Sequence, residues 1–142
     1  MPLKLEIVTA ERLVLADENI DMVVAPSVDG EVGILPNHAP LIAVLQIGEL
    51  RVKKGADEQS IVVAGGFMEV LDDKVTILAD TAERSEEIDV AAAEQARLRA
   101  QDALTNKDAG QADLEMAQAA MRLAALRLRV GQRRRRNRPE EG

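Results

Sequence analysis

His38 is the only histidine in the chain, and it is the residue whose chemistry would suit an active site best. A histidine that acts as a general base needs a nucleophile or an orienting group close by. Its neighbours Asn37, Ala39 and Pro40 supply neither, and no serine or acid follows before Gly48. We therefore expect His38 to hydrogen-bond the backbone of its own loop and to have no catalytic role.

The rest of the composition narrows the possible sites further. The 142 residues include no cysteine, which excludes a thiolate nucleophile and a cysteine-ligated zinc, and a single histidine excludes a multi-histidine metal site. Phe67 is the only aromatic residue, so a stacking platform for nucleic-acid bases is excluded. We expect no bound metal, no cofactor and no catalytic residues, and hence a protein that is not an enzyme.

Two glycine-containing stretches could in principle bind phosphate. The first, "VDGEVG" at residues 28–33, lacks the Lys-Ser/Thr pair of a P-loop, and the second, "AGGF" at residues 64–67, precedes no helix. Neither stretch predicts a nucleotide site. Glu31, between Gly30 and Gly33, is instead expected in an exposed turn, either solvated or in contact with a partner.

The arginines near the C-terminus follow a helical spacing. On a continuous helix one stripe would contain Arg122, Arg129, Arg133 and Arg136, and an adjacent row would contain Arg127, Arg134 and Arg138. For Arg122, Arg127 and Arg129, which lie in a firmly periodic segment, we expect contact with an acidic partner. For residues 133–138 a solvated tail remains an equal alternative.

The charge is unevenly distributed along the chain, whose net charge is −7. Residues 1–84 carry 7 basic and 15 acidic side chains, whereas residues 126–142 carry 7 basic and 2 acidic ones. An acidic body that ends in a basic segment indicates an electrostatic contact made by the C-terminus, with acidic protein, phosphate or anionic lipid as possible partners.

Two different patterns divide the chain near Glu83. Before it, short alternating segments with turn residues between them predict an antiparallel β-sandwich over residues 1–84. The side chains expected to face inward are Leu3, Leu5, Ile7, Ile20, Met22, Val24, Leu50 and Val52. Residues 53–59 and 71–75 are predicted hairpin turns, and Gly65 with Gly66, inside a strand pattern, indicates a bulge or a close approach of another backbone.

From Ser85 onward the sequence is typical of helices. Two segments separated by "TNKDAG" (residues 105–110) predict an antiparallel helical hairpin over residues 85–142, with Asp89 as the N-cap of the first helix. The expected apolar positions are Val90, Ala93, Ala96, Ala100, Ala103 and Leu104 in the first helix and Leu114, Ala117, Met121, Ala124 and Leu128 in the second. The fold class is therefore α+β, a β-sandwich followed by a helical hairpin. Because the seam is mostly alanine, we expect the hairpin to separate or rearrange easily.

At this point the sequence resembles a known family, the ε subunit of the F-type ATP synthase. The stretch "VDGEVGILPNHAPLI" (residues 28–42) is similar to that family's Gly-Glu-x-Gly-x-x-Pro-x-His-Ala-Pro-Leu motif, and "VVAGGFMEVLDDKVTILADTAE" (residues 62–83) is similar to its later strand pair. The alanine-rich hairpin extends the resemblance over nearly the whole chain.

The resemblance implies a non-catalytic central-stalk subunit. In the family the sandwich packs on the γ subunit and on the c-ring, and the helices extend into the catalytic head to inhibit ATP hydrolysis. By this resemblance Glu31 and His38 belong to the c-ring and γ interface, and Arg122, Arg127 and Arg129 contact the β subunits. It also implies a peripheral position on the cytoplasmic face of an energy-transducing membrane, of the cell inner or thylakoid type.

Some relatives bind ATP on the folded hairpin through an Ile-Asp-x-x-Arg-Ala motif. This chain reads "IDVAAA" there, so Ile88, Asp89 and Ala93 are retained, but Ala92 stands at the arginine position. A charge-assisted phosphate contact, which contributes roughly 1.5 to 3 kcal/mol, is missing. ATP binding is therefore predicted to be weak or absent.

A different class of function remains as the alternative. A small β domain could use its arginine-rich tail to bind nucleic acid, although its acidic body would repel a phosphate backbone. The ε-like interpretation predicts no nucleic-acid partner.

Overall fold

The computed structural model describes residues 1–137 and shows two compact units, one formed by Met1–Arg84 and one that begins at Ser85. The strands of the first unit are β1 (Leu3–Val8), β2 (Leu13–Ile20), β3 (Met22–Ser27), β4 (Gly30–Ile34), β5 (Leu41–Leu45), β6 (Gly48–Lys54), β7 (Asp57–Leu71) and β8 (Lys74–Arg84). In the second unit a 3-10 turn (Ser85–Glu87) precedes α1 (Val90–Leu104) and α2 (Gln111–Asn137). The predicted α+β class, with a sandwich and then a hairpin, is confirmed.

The strands follow one another in the order β2-β1-β8-β7-β5-β3-β4, and β6 pairs with both β7 and β3. The long strand β7 is shared: residues 57–63 pair with β6, and residues 66–70 pair with β5. All strand pairs are antiparallel except β1 with β8, which run parallel. That exception was not predicted, because a pairing between the first and last strands leaves no local turn signal in the sequence.

The core of the sandwich is aliphatic and lies between the inward faces of these strands. It comprises Leu3, Leu5, Ile7, Val14, Ile20, Val23, Ala25, Ile34, Leu45, Leu50, Val52, Ile61, Val63, Met68, Val70, Val75, Ile77 and Ala79. The inward alternation predicted for β1 and β6 is confirmed, because Leu3, Leu5, Ile7, Leu50 and Val52 are all buried.

The alternation predicted from Ile20 to Val24 is only partly confirmed: Ile20 belongs to the core and Val24 is buried, but Val24 lies outside the core cluster. Ile20 ends β2 and Met22 begins β3, with Asn19 at a positive φ of 60° beside the junction. The alternation restarts at this change of strand, so Val23 belongs to the core cluster while Met22 is only half-buried. A two-residue period cannot continue through a change of strand.

The paired glycines in β7 mark the predicted close approach of another backbone, whereas the alternative prediction, a bulge, is wrong. The register runs without a shift from Ala64 opposite Thr81 to Gly66 opposite Ala79, with one residue between these pairs on each strand. Both glycines have positive φ, 79° at Gly65 and 119° at Gly66. A Cβ on Gly66 would lie 2.1 Å from the carbonyl oxygen of Leu78, which no side chain can accommodate.

The helical unit begins as the sequence predicts. Asp89 is the N-cap of α1, and its Oδ1 accepts a hydrogen bond from the backbone N–H of Ala92 at 3.0 Å. Residues 105–110 separate the two helices, as expected. Glu86 and Glu87 form, with Ser85, the 3-10 turn before the cap.

The seam between the helices is built from small side chains. Ala93, Ala100, Ala117 and Ala124 are buried, whereas Ala103, predicted to lie in the seam, is exposed. Each buried methyl group contributes about 1 kcal/mol or less, so close approach rather than large apolar area holds the seam. In α2, Leu126 and Val130 are buried in addition to the predicted Leu128.

Candidate protein-interaction surfaces

The loop that carries His38 is fixed by its own hydrogen bonds. His38 is half-buried, and its Nδ1 lies 2.7 Å from the carbonyl oxygen of Ala39. Asn37, at a φ of 66°, donates its backbone N–H to Asp73 Oδ1 at 2.6 Å. Since His38 contacts loop backbone and Asp73 anchors the loop to the turn between β7 and β8, both side chains help to hold the shape of this end of the sandwich.

Glu31 does not lie in a turn, which corrects the expectation. It sits in β4 opposite Pro26, and its carboxylate lies 3.5 Å from the guanidinium of Arg51 on β6. The Glu31 side chain is 65% exposed, so it is a solvated acid with one weak ion pair. The structure therefore pairs Glu31 with Arg51 and not with His38.

The sandwich also presents an exposed row of apolar side chains that the sequence did not reveal. We call Leu13, Val8, Leu78, Phe67 and Val44 the outer apolar row, because each is the register partner of the next across β2, β1, β8, β7 and β5. Directly opposed residues project from the same face of a sheet. Leu78 and Phe67 are each 56% exposed, so the row is a continuous apolar strip open to solvent.

A second row runs beside it across the same five strands. It consists of Ala16, Glu6, Thr76, Glu69 and Ile42, again as successive register partners. Two of its five members are acidic, and Ile42 is 73% exposed. The outer apolar row thus has two acidic neighbours, of which Glu6 lies 3.6 Å from Lys74 and forms an ion pair with it.

The predicted arginines lie on α2 as expected, but they do not share one environment. Arg122 and Arg129, seven residues apart and therefore on one side of the helix, are exposed. Arg127 and Arg133 are half-buried and make further interactions. The side chain of Arg136 and the whole of Arg138 lie outside the part of the chain that the structure describes.

The three residues retained from the ATP motif have structural roles in this chain. Ile88 is half-buried, Asp89 caps α1, and Ala93 is fully buried. Ala92, at the arginine position of the motif, is exposed. A cavity of about 430 Å³ lies beside them, with Arg134 and Glu86 on its wall 4.0 Å apart.

Two ion pairs shift the pKa values of their members. A hydrogen bond from Lys54 Nζ at 2.9 Å lowers the pKa of the Asp17 carboxyl. In α1, hydrogen bonds from the Arg97 guanidinium lower the pKa of Glu94 and raise that of Arg97 itself. Both pairs are on the surface, and their surroundings are those of ordinary ion pairs.

Other site types can be assessed over the same residues. No cluster of three or more metal-ligating side chains occurs within residues 1–137. A cavity of about 670 Å³ at the end of β1 and β8 contains Lys4 and Lys74, but these pair with Glu18 and Glu6. Neither described helix combines the length and apolar character needed to cross a membrane.

Comparison with known proteins identifies the family. Residues 2–85 match the family model described as the ATP synthase Delta/Epsilon chain β-sandwich domain, and residues 86–132 match the one described as the long α-helix domain. The ATP synthase epsilon chain of Herpetosiphon aurantiacus is 56% identical over 95% of this chain and 98% of its own length. The chain belongs to the ATP synthase delta/epsilon family. The epsilon chain of Chloroflexus aggregans, 51% identical over 93% of this chain and 94% of its own, agrees with that assignment.

Two solved structures share the fold of this chain. A chain in the mitochondrial ATP synthase of Euglena gracilis, solved with OSCP, F1 and the c-ring, has a TM-score of 0.75 at 24% identity, covering 87% of this chain and 78% of that one. A chain of the Tetrahymena thermophila central stalk and c-ring complex has a TM-score of 0.62 at 13% identity, covering 92% and 97%. At such identities the likeness concerns the fold alone. The resemblance stated from the sequence is confirmed, and it favours an ATP synthase subunit over a nucleic-acid-binding domain.

Proposed function

We propose that this chain is a non-catalytic central-stalk subunit of a proton-translocating F-type ATP synthase. In this proposal the sandwich binds the γ subunit and the c-ring and couples them to the catalytic head. The helical unit inhibits ATP hydrolysis by contacting the β subunits. The complex would place the chain peripherally on the cytoplasmic face of an energy-transducing membrane.

The outer apolar row is the observation that best supports a γ contact. An exposed apolar strip that crosses five strands is unusual for a surface that faces only water, and such patches commonly mark protein interfaces. Glu69, beside the row, would add electrostatic selection for a basic partner surface. On the loop side, the exposed Glu31 carboxylate and the fixed His38 loop would offer the polar contacts expected toward the c-ring.

Binding of purified γ subunit to the full chain tests this part of the proposal. Phe67→Ser and Leu78→Ser should each weaken γ binding by about tenfold or more, because each removes a large apolar contact from the row. Leu71→Ser is the matched control, since Leu71 is 47% exposed on the same strand but lies outside the row. Unchanged affinity in both row variants would overturn the proposed γ site.

A further inference from the structure

The segment that precedes α1 packs against the far end of α2. This closing segment, residues 85–90, contains the 3-10 turn, Ile88, the Asp89 cap and Val90 at the start of α1. It lies at the end of the hairpin opposite the connecting residues 105–110. The segment therefore contacts α2 where the two helices have no covalent link to hold them together.

Gly131 is the point on α2 where this contact is closest. A Cβ built on Gly131 would lie 2.9 Å from Val90 Cγ2 and 3.0 Å from Ile88 Cγ2. Both neighbours are β-branched, so their methyl groups cannot rotate away without leaving a preferred rotamer. Gly131 is buried, and it is the only glycine in α2.

The remaining contacts at this end are weaker. Arg134, one turn beyond Gly131, lies 4.0 Å from Glu86, with both side chains partly exposed. Leu126, Leu128 and Val130 are also buried on α2 near this end, whereas the buried alanines Ala93, Ala100, Ala117 and Ala124 contribute little apolar area. The two aliphatic side chains over Gly131 add to the apolar contact at the open end of the hairpin.

We propose that the contact of Ile88 and Val90 with Gly131 is a ligand-independent closure of the hairpin and sets the balance between closed and separated helices. Glycine is a poor residue for a helix interior, and the neighbouring residues of α2 are good helix formers. Its presence at this position is explained by the room it leaves for Val90 and Ile88. Replacing Gly131 by a residue with a side chain should therefore favour the helix and disfavour the closure.

Gly131→Ala separates these two effects. Alanine raises the helix propensity of α2, so a hairpin held by propensity alone would become more stable. If the closure is real, the added methyl group drives Ile88 and Val90 away from α2. The ratio of closed to separated hairpin should then fall at least tenfold while helical content is kept or rises.

Distance measurement in the full chain provides the test. Because the chain has no cysteine, spin labels can be placed at Gln95→Cys on α1 and Ala125→Cys on α2, both exposed positions. The parent chain should give one short distance by double electron–electron resonance. Gly131→Ala should add a dominant longer distance, and circular dichroism should show no loss of helix.

Two further variants control the experiment. Gly110→Ala introduces the same methyl group before α2, where nothing lies within 4 Å, and it should leave the distance unchanged. Val90→Ala combined with Gly131→Ala removes the nearer clash and should restore most of the short distance, a non-additive result expected only for residues in contact.

An unchanged distance in Gly131→Ala would overturn the proposal, and so would a loss of helicity, since alanine cannot lower helix propensity relative to glycine. The effect of closure on inhibition rests on the proposed function. The distances are measured in the isolated chain. The proposed closure can therefore be disproved while the stalk function stands, and the stalk function can be disproved while the closure stands.

Discussion

The carboxylate of Asp73 accepts a hydrogen bond from the backbone N–H of Asn37 at 2.6 Å, across 36 residues of sequence. The backbone carbonyl of Asp73 also accepts the N–H of Lys4 at 2.9 Å. One residue in the β7–β8 turn thus fixes both the His38 loop and the start of β1.

Replacing this residue should loosen the loop. Asp73→Gly removes the carboxylate but tolerates the φ of 61° at that position, so the loss should be that of one hydrogen bond, about 1 kcal/mol in the free energy of unfolding. Hydrogen exchange at the Asn37 amide should become faster. Asp72→Gly, at a neighbouring φ of 50°, is the matched control. Equal protection of that amide in both variants would contradict the anchoring role.

The close approach of the Leu78 carbonyl to Gly66 predicts a strong size restriction. Gly66→Ala should destabilise the sandwich by more than about 4 kcal/mol, since the added Cβ meets backbone and the φ of 119° is disfavoured. Gly55→Ala also stands at a positive φ, 60°, but nothing lies within 4 Å of its Cβ, so its cost should stay near 1 kcal/mol. Urea denaturation measures both, and similar midpoints would contradict the close approach.

The Asp17–Lys54 pair predicts a small pH-dependent stabilisation. Because Lys54 lowers the folded-state pKa of Asp17, the pair contributes fully above the unfolded value of about 3.9 and is lost as the pH falls through the folded value. Asp17→Asn should therefore cost less than about 1 kcal/mol near neutral pH, and the difference should vanish at acidic pH. Urea unfolding measured from acidic to neutral pH checks this difference, with Asp29→Asn as a surface control. A difference that grew on acidification would contradict the pairing.

ATP binding to the hairpin is predicted to be weaker than micromolar. The motif arginine is replaced by Ala92, and Asp89 already accepts the Ala92 N–H as the cap of α1. Ala92→Arg, at an exposed position, should raise the affinity about tenfold or more by adding a charge-assisted phosphate contact. Isothermal titration of both chains measures this, and micromolar affinity in the parent chain would refute the prediction.

The proposed inhibition can be tested through the exposed arginines of α2. In the assembled enzyme Arg122→Glu and Arg129→Glu should raise the rate of ATP hydrolysis, because each replaces an attractive contact with an acidic surface by a repulsive one. Lys107→Glu makes the same charge change in the exposed connection between the helices and should have little effect. A chain that ends at Arg84 lacks both helices and should give the highest rate of ATP hydrolysis. If that truncation hydrolyses ATP no faster, the inhibitory role is wrong.

Much of the fold could be predicted because short, local sequence patterns indicate its strands and helices. The alternation of Leu3, Leu5 and Ile7 placed β1, the paired glycines located the close backbone approach, and Asp89 marked the start of α1. The junction at Asp21 was missed because it contains no glycine or proline, although Asn19 has a positive φ. The parallel pairing of β1 with β8 was missed because it joins the ends of the unit.

The outer apolar row was missed for a related reason. Its members come from five strands, and only the register brings Val8, Val44 and Leu78 into one line. A signal was present: in β8, Val75 and Ile77 take the inward positions, so an apolar Leu78 must face outward. Gly131 left no comparable signal, since a single glycine in a helix does not indicate what approaches it.

The parallel pairing of β1 and β8 has a mechanical consequence. Five register pairs, from Lys4 with Lys74 to Val8 with Leu78, join the first and last strands of the sandwich, and both strands point the same way. A pull between the start of β1 and the end of β8 therefore acts along the strands and loads these pairs together, in shear. An antiparallel arrangement of the same strands would expose them to the load one after another. The sandwich is thus built to resist stretching between its two ends.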